Sequence, residues 1–266
     1  MKQFDAEIIE NRAVAESWRE LVLSWQEEIP LPGQFLTLRV SPYSDPLLRR
    51  PFAFSSYRRA FSSYPGASAR QGARVSVVYQ IRGGATRLLA ELAAGSKVDV
   101  IGPLGKGFPE AIADETAILA GGGIGLGPLL FLADRMAAAG RPHRLVLGVR
   151  SASLLPTIAL PEGTVLCTDD GSSGFRGTPV DWMRANPPAG RVRLYGCGPA
   201  PMLAGLAALA AEKRWGASLS AEQWMACGVG ACMGCVLPRA DGKGYLRSCT
   251  DGPVFEASEI AWGGRR

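Results

Sequence analysis

At 266 residues, with 47% apolar and 20% charged side chains, the chain is long enough for two globular domains, or two and a small appendage. Its net charge of +5 is spread out. Paired arginines occur only at Arg49 and Arg50, Arg58 and Arg59, and Arg265 and Arg266, which argues against the concentrated basic face of a nucleic-acid binder. No apolar run reaches the roughly 20 residues that span a bilayer, and the longest candidate is a short alanine-rich stretch at 203–211. The opening MKQFDAEIIENRAVAESW is acidic where a signal peptide needs an apolar core. The expectation is a soluble cytoplasmic protein, in which thiols stay reduced.

The first hundred residues alternate short β-like runs with turn signals and predict a small antiparallel barrel over 1–110. The runs are QFDAEII (3–9), RELVLSW (19–25), QFLTLRV (34–40), VSVVYQI (75–81) and KVDVIGP (97–103). A short helix is expected at 86–92, and the Ser- and Arg-rich SSYRRAFSSYPGASARQGAR (55–74) reads as a mobile insertion. Two places in this half suit an anion. RRPFAFS sets Arg50 before a proline, where a guanidinium can fork onto phosphate, although a surface arginine is the ordinary role of such a residue. IRGGATRLL puts Gly83, Gly84 and Thr86 just before the short helix, whose free N–H groups favour negative charge.

From Thr116 the rhythm changes to strand–helix alternation, predicting a parallel sheet with both faces covered over 111–216. Strands are expected at 116–123, 143–149, 164–170 and 191–198, and helices at 128–140, 179–186 and 201–215. AGGGIGLGPLL carries Gly121, Gly122, Gly123 and Gly125 between a strand and a helix. Missing side chains there let a pyrophosphate reach the helix N-terminus, or else serve a tight packing turn. YGCGPAPML, with Gly196, Gly198 and Pro199, follows a later strand, so both glycine loops face one crevice at the carboxyl ends of the strands. Asp169 and Asp170 end another strand at that level, and Asp170 suits a ribose or amide contact as well as a solvated turn.

Residues 217–266 hold Cys227, Cys232, Cys235 and Cys249 in a C-x4-C-x2-C-x13-C pattern. This is the plant-type [2Fe–2S] spacing, and the interspersed glycines let the backbone wrap tightly and turn amides toward the sulfurs. A four-cysteine zinc site usually shows two separated pairs, and a disulfide framework conflicts with a reduced compartment. Cys167, in a strand, reads as a small buried hydrophobe, and the lone His143 as a structural or surface histidine.

Together these motifs resemble the ferredoxin–NADP reductase superfamily. Within it they are similar to the iron–sulfur electron-transfer subunits of class 1B dihydroorotate dehydrogenase. The resemblance spans essentially the whole chain. It rests on PGQF (32–35), LLRRP (47–51), the 79–86 loop, GPLGKGF (102–108), AGGGIG, TDDGSSGFRG (168–177), YGCGP and, most specifically, CGVGACMGC with CTDGPVFEASEI. It implies a ferredoxin-reductase-like FAD barrel, an α/β NAD domain and a small C-terminal [2Fe–2S] segment. FAD would contact Arg50, Pro51, Phe52 and Ala53 and also Val78, Tyr79 and Gln80, with Ala85 and Thr86 at its pyrophosphate. Cys197 would lie near the nicotinamide, and the cluster would sit on Cys227, Cys232, Cys235 and Cys249.

The sequence departs from that family's pattern at two flavin positions. Ala53 replaces a serine, for which Ser55 is a candidate substitute, and Ala85 replaces a glycine, which is tolerable only at negative φ. Gln80 replaces a commonly basic residue, leaving Arg82 as the nearby charge.

The implied activity is electron transfer. Nicotinamide exchanges two electrons as hydride, a [2Fe–2S] cluster takes one at a time, and a flavin handles both. The resemblance also implies an FMN-containing dihydroorotate dehydrogenase catalytic subunit as partner, in a two-plus-two heterotetramer, with NAD+ as the final acceptor in pyrimidine biosynthesis. The alternative is an iron–sulfur flavoprotein subunit of a ferredoxin:NADP oxidoreductase or sulfhydrogenase-type complex. Arg150 and Ser151, after the strand HRLVLGV, leave the choice between NADH and NADPH open.

Overall fold

The computed structural model describes residues 1–41, 43, 45–59, 72–110, 112 and 114–263. Six antiparallel strands close a barrel in the order β1-β2-β5-β4-β3-β6. They are β1 (Lys2–Ala15), β2 (Trp18–Ser24), β3 (Phe35–Arg39), β4 (Arg50–Arg58), β5 (Arg74–Gln80) and β6 (Lys97–Leu104). In β6 the residues alternate, with Val98, Val100, Gly102 and Leu104 buried and the intervening ones more exposed, the period-2 pattern of a strand with one wet face. β1 runs well past the expected 3–9 segment. Its first half pairs with β6 and its second half with β2, and register shifts at Ile8/Glu10 and Ala13/Ala15 turn the corner.

From Arg50 on, the RRPFAFS motif is itself part of β4. The insertion expected at 55–74 therefore starts later: Ser55 and the residues through Arg58 belong to β4, and Arg74 opens β5. Residues 60–71, the middle of that expectation, lie outside the described residues. The short helix, α1 (Gly84–Glu91), bridges β5 and β6. In the barrel core, Trp25 is met edge-on by Phe4 and Phe54, each at 5.2 Å between centroids, and its indole N–H donates to the Glu28 carbonyl at 2.8 Å. Phe131 of the following helix α2 (Leu126–Ala138) enters the same core. Burying one such ring stabilises the join by about 2–3 kcal/mol.

The second unit is a seven-stranded sheet in the order β10-β9-β8-β7-β11-β12-β15, parallel except for the edge strand β15. Its strands are β7 (Thr116–Gly122), β8 (His143–Val149), β9 (Val165–Thr168), β10 (Phe175–Arg176), β11 (Val192–Cys197), β12 (Gly216–Ser220) and β15 (Val254–Glu256). Helices α3 (Pro179–Ala185) and α4 (Ala200–Lys213) join them. All of β7 but Thr116 is buried, as a strand covered on both faces requires. Ile118, Ala120, Val146 and Leu194 pack with α3 and α4. The alternate residues Ala117, Leu119, Leu145 and Leu147 pack with α2 and with Trp18, Val78 and Phe108 of the barrel. The sheet thus has one face under helices and the other shared between α2 and the barrel.

Two strands of this sheet come from the C-terminal part of the chain. Between β12 and β15 the chain leaves the sheet, carrying all four spaced cysteines and the hairpin of β13 (Val236–Pro238) and β14 (Tyr245–Arg247). Arg193 of β11 bonds both the Ser218 hydroxyl, at 2.6 Å, and the Glu256 carboxylate, tying β12 and β15 to the sheet centre. Among the described residues, no helix is long and apolar enough to cross a membrane.

Candidate electron-transfer site

A cleft of about 920 Å³ lies between the barrel and the carboxyl ends of the parallel strands. Arg50, Pro51, Phe52, Ala53, Val78, Tyr79, Gln80 and Thr86 line its barrel side, and Gly122, Gly123, Gly125, Cys197, Gly198 and Pro199 line its sheet side. The barrel wall is pre-set by its own hydrogen bonds. Gln80 accepts from Arg82 Nε at 2.8 Å and so aims this guanidinium, which also lines the cleft. The Thr86 hydroxyl accepts from the Arg82 and Gly83 amides and donates to the Gly83 carbonyl, closing the first turn of α1. The Tyr79 hydroxyl donates to Asn11 at 3.0 Å, so only its ring serves the cleft.

Several expected contacts fall elsewhere. Ser55 does not replace the serine missing at Ala53. A register shift between Phe54 and Ser56 turns it away, its buried hydroxyl pairs with Ser76 at 2.8 Å, and it borders a second cavity on the far side of the barrel wall. Ser220, at the end of β12, lines the sheet side of the cleft and bonds the Cys197 thiol. Gly83, Gly84 and Ala85 are not among the lining residues. Ala85 lies inside α1 without positive φ, and its methyl joins the barrel core. Gly121 lies within β7, where a Cβ would touch Leu129, Leu126 and Leu147. Gly196 lies under Leu219 and Leu206. Asp170 is occupied in a local turn, accepting from the Ser172 amide and hydroxyl at 2.9 and 2.5 Å, which holds its carboxyl below the usual range. Its neighbour Asp169 lines the cleft.

The two glycine loops turn out to pack on each other. A Cβ on Gly125 would collide with the Cys197 carbonyl and come within 2.7 Å of the Gly198 nitrogen, and one on Gly198 would lie 2.9 Å from Gly122 Cα. Gly123 alone of the first loop has positive φ, at 54°, with open space around it. Close packing thus accounts for Gly122, Gly125 and Gly198, and the left-handed backbone for Gly123. Cys197 lies half-buried where the loops meet. Burial pushes its thiol up to about 12, opposed by a hydrogen bond from Ser220 and aided by Glu222, so it is a neutral thiol at pH 7.

Beside this cleft the four cysteines pair two and two, Cys227 with Cys232 and Cys235 with Cys249. Among the described residues, no three His, Cys, Asp or Glu side chains converge as they would on a single ion. Two irons bridged by sulfides each need two thiolates, and the pairing supplies that. The amides of Val229 and Gly234 donate to Cys227 and Cys232 sulfurs at 3.4 Å. Burial opposes ionisation of Cys227, but the amides of Val229, Cys232 and Ala231, with the Cys232 thiol, outweigh it and lower Cys227 to about 6. Gly228, Gly230 and Met233 hold the positive φ values this wrapping needs. Thr37 and Thr250, whose buried hydroxyls have no protein partner, stand beside the loop glycines Gly228 and Gly230 with their methyl carbons nearest. A loop with inward amides, orphaned hydroxyls and a two-plus-two thiol set fits a [2Fe–2S] unit.

Cleft and cysteine loop share a wall. Phe35 and Met225 line the cleft and also pack with Cys235 and Cys249, which are both 2% exposed, whereas Cys232 faces solvent. Phe35 closes the PGQF motif but was not assigned to the site from it, and neither Met225 nor Trp18, whose buried indole N–H lacks a protein partner at the cleft, belongs to any motif above. Ser220 and Glu222 were findable from one rule, that residues just after a parallel strand face the crevice.

Comparison with known proteins agrees with this geometry. Residues 222–261 match the model of the iron-sulfur cluster binding domain of dihydroorotate dehydrogenase B. The chain is 38% identical over 262 residues to the dihydroorotate dehydrogenase B (NAD(+)) electron transfer subunit of Geobacillus kaustophilus (strain HTA426), covering 95% of this chain and 96% of that protein. It is 37% identical to the same subunit of Listeria monocytogenes serotype 4a (strain HCC23), covering 98% and 100%. Among solved structures it resembles an NADH-dependent reduced ferredoxin-NADP oxidoreductase, with TM-score 0.79, 25% identity, and 97% and 90% of the two chains covered. Phthalate dioxygenase reductase shares the fold, with TM-score 0.61 and 17% identity over 93% of this chain and 94% of that one. The chain belongs to the family of dihydroorotate dehydrogenase B (NAD(+)) electron transfer subunits.

Proposed function

We propose that this protein carries electrons from a dihydroorotate dehydrogenase catalytic subunit to NAD+. The observation that supports this best is the shared wall of Phe35 and Met225 between a nucleotide-sized cleft and a four-cysteine loop. When bound, FAD exchanges a hydride with nicotinamide and single electrons with a [2Fe–2S] cluster. The chain's own residues hold and orient these groups. Arg50 and Arg82 offer guanidinium forks for the flavin's phosphates, and Phe52, Val78 and the Tyr79 ring offer an apolar bed. Gly123 would admit a dinucleotide backbone, and Arg150 and Asp169, which also line the cleft, would contact it. The neutral Cys197 thiol, bonded by Ser220, would keep charge away from a nicotinamide bound there. Cys227, Cys232, Cys235 and Cys249 hold the cluster.

The exposed side of the loop, with Trp224, Val229, Met233 and Cys232 open to solvent, suits docking of the partner. The partner we propose is FMN-containing, in a two-plus-two assembly in the cytoplasm, and this chain does not oxidise dihydroorotate alone.

The test is dihydroorotate-dependent NAD+ reduction by the loaded chain mixed with the catalytic subunit of its own organism. Turnover that needs both components and disappears in Cys249→Ser is the expected result. If the mixture is inactive while NADH still bleaches flavin and cluster, the partner is wrong. The ferredoxin:NADP reading, favoured by the likeness to the reduced ferredoxin-NADP oxidoreductase, then leads.

A further inference from the structure

The cysteine loop has a fixed cation against it. Arg247 closes β14 two residues before Cys249, and its side chain folds back over the loop. Nη1 donates to the Gly230 carbonyl at 3.4 Å, while Nε and Nη2 donate to Asp251 Oδ2 and Oδ1 at 3.2 and 3.3 Å. The Gly230 amide in turn donates to the Cys249 sulfur, so this one residue stands between guanidinium and thiol. Asp251 first, and then Cys249 and Cys235, hold the guanidinium above its usual value. The Asp251 carboxyl is held low by Arg247 and, from the barrel side, by Lys106. Two cations and one carboxylate leave a net positive charge beside the buried pair of thiols.

This cation does more than close the turn that carries Cys249. The turn is already closed by main chain, the Arg247 carbonyl accepting from the amides of Thr250, Asp251 and Gly252 at 3.3, 2.8 and 3.2 Å. The Arg247 amide also donates to Asp251 at 2.8 Å. A guanidinium is protonated at every working pH. A cluster gains one negative charge on reduction, so a fixed cation beside it favours the reduced form and raises its potential.

We infer that Arg247 is a positioning residue that sets the reduction potential of the cluster, by presenting a permanent positive charge to its Cys235 and Cys249 side. The inference rests on the cluster reading above. Both side chains of the Arg247–Asp251 pair are about one-third exposed, at 37% and 29%, so salt screens the effect.

The experiment is an EPR-monitored redox titration of the full chain, cluster-loaded, as wild type, Arg247→Gln, Arg247→Lys and Asp251→Asn. Iron content and the EPR line shape are read first. The expectation is about two irons per chain throughout. The midpoint falls in Arg247→Gln, stays near wild type in Arg247→Lys and rises in Asp251→Asn, and the wild-type to Arg247→Gln gap narrows at high ionic strength. An unmoved midpoint in Arg247→Gln overturns the inference. So does an equal fall in Arg247→Lys, which would assign the effect to the guanidinium's hydrogen bonds. Should Arg247→Gln hold no iron, Asp251→Asn decides: a rise supports the inference, and no rise overturns it. Wild-type chain without iron overturns the cluster reading and this inference together, whereas bound iron with an unmoved potential overturns only the inference.

Discussion

Gly125→Ala and Gly127→Ala, two residues apart where the chain enters α2, are expected to move stability in opposite directions. Gly125 has φ of −63°, so its backbone would accept alanine, and the obstacle is purely steric. The added Cβ would strike the Cys197 carbonyl group, with its carbon at 2.5 Å and the Gly198 nitrogen at 2.7 Å. These are backbone atoms at the end of β11 and cannot rotate aside. Overpacking of this kind costs about 1–3 kcal/mol, which lowers Tm by about 2–12 °C for a chain of this size. At Gly127 the Cβ would meet Ser55 and Val78 Cβ atoms at 3.6 and 3.9 Å, ordinary contact distances. There the helix propensity of alanine over glycine adds up to about 1 kcal/mol, raising Tm by about 2–4 °C. Calorimetry of the FAD-loaded variants reads both signs. NADH-driven ferricyanide reduction reads the site, and displacement of the Cys197–Gly198 loop is expected to raise the NADH KM in Gly125→Ala while FAD content is unchanged. If Gly125→Ala melts with or above the wild type, the two glycine loops do not pack as described and the reasoning fails.

Asp169→Asn removes a carboxylate from the cleft lining, while Arg150, the candidate partner of a 2′-phosphate, stays. The ratio of NADH to NADPH efficiency is expected to fall on the order of tenfold, equivalent to about 1.4 kcal/mol, and an unchanged ratio removes Asp169 from the determinants. Cys249→Ser should abolish the cluster's visible absorbance yet spare NADH:ferricyanide activity, because Cys249 borders the cleft wall without lining the cleft; loss of both would mean that loop and cleft fold as one unit. Stability should also fall in alkali. Burial first, with Asp181 adding, raises the Cys167 thiol from its ordinary value of 9.0 to about 11. Below pH 9 both folded and unfolded thiols are protonated and the contribution is intact. Between 9 and 11 only the unfolded thiol ionises, so stability drops as pH rises. Urea midpoints at pH 8 and pH 10.5 should diverge, and less so in Cys167→Ala, whereas equal divergence would place the linkage elsewhere.

The sequence by itself determined the parts whose signal is local. Period-2 runs marked most barrel strands, strand–helix alternation marked the parallel sheet, and the C-x4-C-x2-C-x13-C spacing marked the cysteine site. Each depends on chain-neighbour geometry, which no distant contact can alter. What lay beyond reach was decided by residues remote in sequence. That Ser55 turns away from the cleft follows from a register shift within β4, because one residue of slip reverses the face a side chain occupies. Asp170 yielded to Asp169 because Ser172 claimed its carboxylate. The glycines of two loops, seventy residues apart in the chain, proved to be each other's packing partners, since parallel strands β7 and β11 lie side by side. The wall of Phe35 and Met225 exists only where the barrel, the sheet and the cysteine loop meet, a juxtaposition that only the closed tertiary structure creates.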